Sequence, residues 1–358
     1  MPHLYTDEQR QIRDEARRLL EERYSGAVLK ALLEAEGRYD AGFWQACRDM
    51  GWTAITVPET HGGLGLTVIE LGIVAEECGR VACGAPFLMT SFAVSEALRL
   101  WGDAAQQDAW LAAIAAGDAI GAFSLAETSP VSERGGRLYG TAAAIVAGGV
   151  ADVAVVRVGD AGLFLADLRQ DGVVRDLART FDNSRCTADL RFDGLPAERL
   201  ADSGAAQDLL DRLAVIAAFE QAGGADACML QARDYANERQ AFGQPIGKFQ
   251  AIKHRIAEMY LANELARGNA LRAAIDLTEG AVELPLHAAA ARLSAINAYE
   301  FAAREAIQIH GAIGVTWEHD LHLHYRRSRT LALELGSAMQ WEDMLADALG
   351  ADVPRAAA

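Results

Sequence analysis

The sequence predicts an α+β protein built in three consecutive segments, all-α, then β, then all-α, and three observations carry that prediction. Apolar residues recur at helical spacing over the first third of the chain. Glycines and short β-branched runs take over after Gly121. Helical periodicity then returns near Ala205 and lasts to about Leu349. The expected boundaries are 1–118 for an N-terminal helical domain, 119–203 for a middle β domain and 204–358 for a C-terminal helical-bundle domain.

Each element has a local reason. Thr6, followed by Asp7 and Glu8, reads as an N-cap with acids in the first turn, and Ile12, Ala16, Leu19 and Leu20 line one helical face. Helical spacing from Phe43 to Ala115 is broken at Gly51, across Pro58-Glu59-Thr60-His61-Gly62-Gly63-Leu64-Gly65, and at Gly84–Pro86. In the middle segment Ala144-Ile145-Val146, Val153 to Val158 and Leu163-Phe164-Leu165 predict strands. In the last segment, interruptions at Gly243–Gly247, Glu279-Gly280 and His310–Gly314 separate long helices, and Val353–Ala358 is expected to fray.

Composition excludes several classes. With 51% hydrophobic and 23% charged residues among 358, the chain is neither disordered nor collagen-like. Fifty acidic against 33 basic residues, a net charge of −17, argue against nucleic acid or an anionic membrane as the main partner. The five cysteines, Cys47, Cys78, Cys83, Cys186 and Cys228, form no CxxC pair and read as reduced thiols of a cytoplasmic protein. The N-terminus lacks the apolar core of a secretion signal, and no run reaches about 18 apolar residues, so the chain is expected to be neither exported nor membrane-spanning.

Only three lysines, Lys30, Lys248 and Lys253, stand against thirty arginines (33 − 3). Two of the three fall within Arg233 to Arg255, where basic groups, Phe242 and glycines meet at a junction between helices. Such a cluster in an acidic protein suits the phosphates of a nucleotide-like cofactor, or is a solvated basic turn.

This segment, RQAFGQPIGKFQAIKHRIAEM, resembles the Arg-x-x-Phe-Gly-x-Pro-Ile-x-x-Phe-Gln signature of the acyl-CoA dehydrogenase family of flavoproteins. Gly51-Trp52, Val57-Pro58-Glu59, Gly62-Gly63-Leu64-Gly65 and Ala75-Glu76-Glu77-Cys78-Gly79-Arg80 resemble its N-terminal domain. Ala306 to Glu318 resembles its Gln-x-x-Gly-Gly-x-Gly flavin motif. The resemblance spans nearly the whole chain and implies a helical domain, a β domain and a C-terminal four-helix bundle, assembled as dimers or tetramers with FAD at a subunit interface. It implies that Arg239 faces the FAD pyrophosphate of a neighbouring subunit, that Phe242 packs near the cofactor, and that Gln308 and Gly311 approach its adenosine-diphosphate portion.

The sequence also departs from the family pattern. The second glycine of the flavin motif is Ala312; Ala126 replaces a threonine in Phe123-Ser124-Leu125-Ala126-Glu127-Thr128; and Ala144-Ile145-Val146 stands where the family has Trp-Ile-Thr beside the flavin. The implied reaction removes the α-proton of an acyl-CoA by a carboxylate while the β-hydride passes to the flavin, with an electron-transfer flavoprotein as acceptor. Leu335 occupies the family's C-terminal base position, and Glu334 precedes it by one residue, about 100° of rotation on a helix.

Glu220 lies on a stripe with Leu209, Leu213, Ile216, Gly223, Ala227 and Leu230, and Glu220-Gln221-Ala222-Gly223-Gly224 looks like a run that carries the base in some relatives. It is the first candidate base; the alternatives are a buried carboxylate satisfied by a neighbour such as Arg255, the base at Glu334, or none in this chain. His310, His319, His322 and His324 do not make a metal set, and Ser124, Ser129 and Ser132 lack a nucleophile setting. Arg326, Arg327 and Arg329 either meet CoA phosphates or cap a helix end. The functional expectation is α,β-dehydrogenation of an acyl-CoA, alone or with a second dehydrogenase subunit in an α₂β₂ tetramer. The competing expectations are a non-catalytic partner that completes another chain's FAD site, and a flavin oxidase or monooxygenase on the same fold.

Overall fold

The described part of the protein, a computed structural model, comprises residues 5–351 apart from 36, 84–86 and 128–129. The break expected at Gly84–Pro86 and the tail expected to fray lie outside the described residues. At the N-terminus Thr6 Oγ1 accepts from the Gln9 N–H (3.2 Å) and Gln9 Oε1 accepts from the Thr6 N–H (3.1 Å), a reciprocal cap that starts α1 (Asp7–Arg23). Then come α2 (Gly26–Leu33) and α3 (Ala41–Asp49), the latter begun by Asp40 accepting from the Phe43 N–H at 2.9 Å. Pro58 to Gly65 is a tight turn with Gly62 and Gly65 at φ +78° and +59°, ahead of α4 (Val68–Arg80), α5 (Phe87–Trp101) and α6 (Ala104–Ala115).

Among the described residues the middle segment is one sheet of seven strands: β1 (Gly121–Ser124), β2 (Ser132–Glu133), β3 (Arg137–Ile145), β4 (Val153–Val158), β5 (Gly162–Asp167), β6 (Val173–Leu177) and β7 (Ala188–Ala201). The order is β1-β4-β5-β7-β3-β2, with β6 also on β7; β1 is parallel to β4 and the other pairs are antiparallel. The run Val153 to Val158 is β4, as expected, but Ala144-Ile145-Val146 is not a strand of its own. Ile145 ends β3, Ala144 sits at φ +54° in a bulge, and Val146 lies beyond it. The sheet's spine is β7, fourteen residues that pair with β5 at one end and with β3 and β6 at the other.

The C-terminal segment opens with α7 (Ala205–Glu238), followed by the tight hairpin of β8 (Gln240–Ala241) and β9 (Gln244–Pro245). Its two central residues, Phe242 and Gly243, are both left-handed (φ +52° and +79°), as a two-residue hairpin turn requires. Next are α8 (Gln250–Glu279), closed by Gly280 at φ +67°, α9 (Leu284–His310), α10 (Leu321–Glu334) and α11 (Ala338–Ala351); α8, α10 and α11 all pack on α9. The interruptions read from the sequence coincide with these helix ends.

Two compact units partition the chain. One comprises Met1–Gly26, Gly72–Cys83 and Ala214–Ala358, and the other Ala27–Leu71 and Gly84–Leu213. In the first, α7 is buried without a break from Leu213's neighbour Ala214 to Ala225, so the expected single stripe is a helix enclosed on all sides. Its most apolar window is long enough to cross a membrane but is 89% buried inside the protein. Glycines allow the enclosure. A Cβ at Gly79 of α4 would overlap the Glu220 carbonyl, one at Gly223 would overlap the Glu76 carbonyl, and one at Gly224 would enter the Tyr299 ring on α9.

Candidate active site and cofactor cradle

Glu220 is 3% exposed, and its Oε1 accepts from Arg327 NH1 at 3.0 Å. Arg327, with a side chain only 1% exposed, also donates to the Cys83 carbonyl at 2.8 Å. Glu220 matches the expected alternative of a buried carboxylate satisfied by a neighbour, but the neighbour named there and the place expected for Arg327 need correction. Arg255 is not the partner, because it stays at the surface with Glu258 and Glu305 (3.0 and 3.1 Å), and Arg327 neither caps α10 nor faces solvent. Periodicity cannot distinguish which of several arginines a buried acid will meet, since that pairing is set by tertiary packing.

A second buried cation lies close by. Arg292 of α9 donates to Gln221 Oε1 (2.5 Å) and to the Leu331 carbonyl; burial pushes its guanidinium down to about 10, while the charges of Glu334 and Glu220 act to hold it up. The Tyr299 hydroxyl lies 2.9 Å from His324 Nδ1. Burial, and then the charge of Arg327, push His324 down to about 4, so it is neutral at pH 7.

Glu334 is the half-buried last residue of α10. The rotation argument made from sequence does not apply to it, because the helix stops there: Leu335 leaves helical geometry and Gly336 has φ +92°. The Trp341 indole donates to the Leu335 carbonyl at 2.8 Å, and Leu335 itself is 3% exposed.

The four expected cofactor residues are arranged differently. Arg239 and Gln308 are exposed, and neither side chain makes a hydrogen bond or ion pair among the described residues. Phe242 is 95% exposed and meets Phe249 edge-on at 6.2 Å. Gly311 holds φ +70° and ψ −146°, a backbone conformation available in practice to glycine alone, and open space surrounds it. A ring stack draws these positions together: Tyr235, one turn before Arg239, lies 4.3 Å from His310, which stands between Gln308 and Gly311 in sequence.

An uncompensated guanidinium, a primary amide and a glycine-shaped backbone fit the diphosphate of a dinucleotide. In the sheet unit, Ala126 is exposed at the end of β1 and Val146 is buried, so neither offers a hydroxyl.

Three features escaped the sequence reading. Asp211, near the start of α7, is buried and accepts from Gln207 Nε2 at 2.8 Å; desolvation raises its carboxyl to about 6. A groove of about 780 Å³ is lined by Arg17, Arg80, Arg267, Asp226 and Tyr260 among others. Its arginines are tied to acids, Arg17 bidentately to Glu77 (2.9 and 2.7 Å) and Arg267 to Glu76 (2.8 Å), which shows where the chain's preference for arginine is used. The third feature is the ring stack itself. Asp211 is visible as a residue in sequence, but its burial is not, and burial outweighs the lowering effect of the Arg212 charge.

Family models for the acyl-CoA dehydrogenase N-terminal domain and C-terminal domain match residues 6–118 and 203–349. The chain is 33% identical to acyl-CoA dehydrogenase IpdE2 of Mycobacterium tuberculosis over 92% of its own length and 94% of the relative's. It is 30% identical to acyl-CoA dehydrogenase FadE34 of the same organism over 94% of its own length but 47% of that protein's. Among solved structures, the Tcur3481-Tcur3483 steroid ACAD superimposes with a TM-score of 0.89 at 25% identity, over 96% of this chain and 98% of that one. The ChsE4-ChsE5 complex from Mycobacterium tuberculosis shares the fold with a TM-score of 0.90 at 24% identity, over 98% and 99% of the two chains. The chain therefore belongs to the acyl-CoA dehydrogenase family, and with it to the flavin-dependent oxidoreductases.

Proposed function

We propose that this chain is one subunit of a heteromeric, cytoplasmic, FAD-dependent acyl-CoA dehydrogenase, and that the carboxylate that takes the α-proton comes from the second chain. The substrate class is a bulky acyl-CoA such as a steroid side-chain thioester, and an electron-transfer flavoprotein takes the electrons. The observation that carries the reading is the contrast at the two expected sites. Glu220 is paired with Arg327 inside the core, whereas Arg239, Phe242, Gln308 and Gly311 are exposed, and among the described residues the side chains of Arg239 and Gln308 make no hydrogen bond or ion pair. FAD, when bound, would accept the β-hydride. Arg239 would hold its diphosphate, Gln308 and the Gly311 backbone would flank it, and Phe242 would cover an apolar edge. The names of relatives that are steroid dehydrogenases or two-chain complexes support the substrate class and the second subunit.

The test is the visible spectrum of the chain purified alone and co-expressed with a second dehydrogenase chain, each titrated with a panel of acyl-CoAs. The reading predicts that flavin bleaching by a thioester requires both chains. One FAD per chain, bleached by an acyl-CoA in the protein purified alone, would overturn it. A second reading, favoured by the burial and raised pKa of Asp211, keeps the base in this chain. In that case Asp211→Asn would abolish bleaching and retain the flavin.

A further inference from the structure

Resting on the reading of Arg239, Gln308 and Gly311 as a diphosphate cradle, we infer that the ring stack Tyr235–His310–His319 is the positioning element that sets the spacing between the cradle's two halves. Tyr235 and His310 stack with centroids 4.3 Å apart and planes 24° from parallel. His319 also meets His310 edge-on, 4.8 Å away at 65°. The pile joins three separate pieces of chain: the last turn of α7, the last residue of α9, and the segment leading into α10.

Each ring is fixed by the backbone around it. Arg239 N–H donates to the Tyr235 carbonyl at 2.8 Å, so the arginine's backbone is carried one helical turn beyond the tyrosine. His310 Nδ1–H donates to the Ala306 carbonyl at 2.8 Å, which fixes that ring's tautomer and orientation directly before Gly311. Leu321 N–H donates to His319 Nδ1 at 3.1 Å, which holds the outer ring. Among the described residues Arg239 has no side-chain partner to hold it in place, so its location relative to Gln308 and Gly311 depends on how the two helix ends are registered. Aromatic pairs of this geometry add stabilisation beyond the area they bury.

The experiment is a calorimetric titration of the purified native chain with ADP, for the wild type and for Tyr235→Ala, Tyr235→Phe, Arg239→Ala and the double variant Tyr235→Ala/Arg239→Ala. Arg239→Ala should weaken ADP by about tenfold or more, the scale of a lost charge-assisted hydrogen bond. Tyr235→Ala should weaken it by a similar factor, Tyr235→Phe should restore wild-type affinity, and adding Arg239→Ala to Tyr235→Ala should cost nothing further. That last result separates positioning from general support of the fold. If Tyr235→Ala does not fold, His319→Ala, which removes only the outer ring, should still weaken ADP. Wild-type affinity in Tyr235→Ala, or in His319→Ala where the first variant does not fold, overturns the inference. A wild type that binds no ADP, or an Arg239→Ala that binds it normally, overturns the cradle reading instead.

Discussion

Two places on the first compact unit carry the sequence's most conspicuous charges, and they are treated in opposite ways. In the middle of α7 the carboxylate of Glu220 is enclosed, and Arg327 balances it at 3.0 Å. Just past the helix's end Arg239 is exposed, three residues before a 95% exposed phenylalanine, and the Tyr235–His310 stack joins this end of α7 to the end of α9, where Gly311 holds a conformation that other residues avoid. A buried charge with its partner supplied belongs to the protein's structure. An exposed charge with no partner among the described residues is, on the proposed reading, the group that meets a ligand or a neighbour.

The largest effect that could break this comparison is at Glu220. Glu220→Gln leaves Arg327 without a counter-charge in the core and should destabilise the protein by about 3–5 kcal/mol, read by urea unfolding. Gly223→Ala comes next: the added methyl meets the Glu76 carbonyl of α4, and forcing the helices apart should cost about 1–3 kcal/mol, or more. Arg239→Ala should do the reverse of Glu220→Gln, leaving the unfolding midpoint within about 0.5 kcal/mol of wild type while weakening FAD retention.

His324 sharpens the comparison through pH. Its folded pKa, about 4, lies below the ordinary value of 6.5. Between those values the unfolded chain holds a proton that the folded protein does not, so stability is present above pH 6.5 and falls as the pH drops toward 4. The loss should reach about 2–3 kcal/mol, and His324→Phe should flatten that part of the stability–pH curve. The smallest effect is expected in the sheet unit, where Ala144→Gly at φ +54° should stabilise by about 0.5 kcal/mol, read as a small rise in Tm.

The sequence made the helix ends legible because they are written in local chemistry. Thr6 and Gln9 cap α1, Gly280 closes α8, and the glycines after Phe242 and His310 mark the turns at the ends of α7 and α9. Strand β7 was not legible. Gly194 at φ +78° and Pro196 are turn-forming residues, yet both sit within β7, Gly194 as the extra residue of a bulge opposite Leu138 and Tyr139 and Pro196 opposite Arg137. The residues proposed as the cradle stand out in the sequence because a short motif carries them. A satisfied buried carboxylate was one reading of Glu220, but its partner could not be identified, because Arg327 is 107 positions away and the bond between them exists only after α7 and α10 have packed. The ring stack was hidden for the same reason, with Tyr235 and His310 75 positions apart (310 − 235).

The most direct test of the division between structure and ligand site is a double-mutant cycle on Glu220 and Arg327, using Glu220→Gln, Arg327→Met and the two together, measured as unfolding free energy in urea. The account predicts that each single variant is strongly destabilised and that the double variant recovers at least about 2 kcal/mol of the summed loss. Single variants as stable as the wild type, with no coupling between the two positions, would contradict it and return Glu220 to the role of catalytic base.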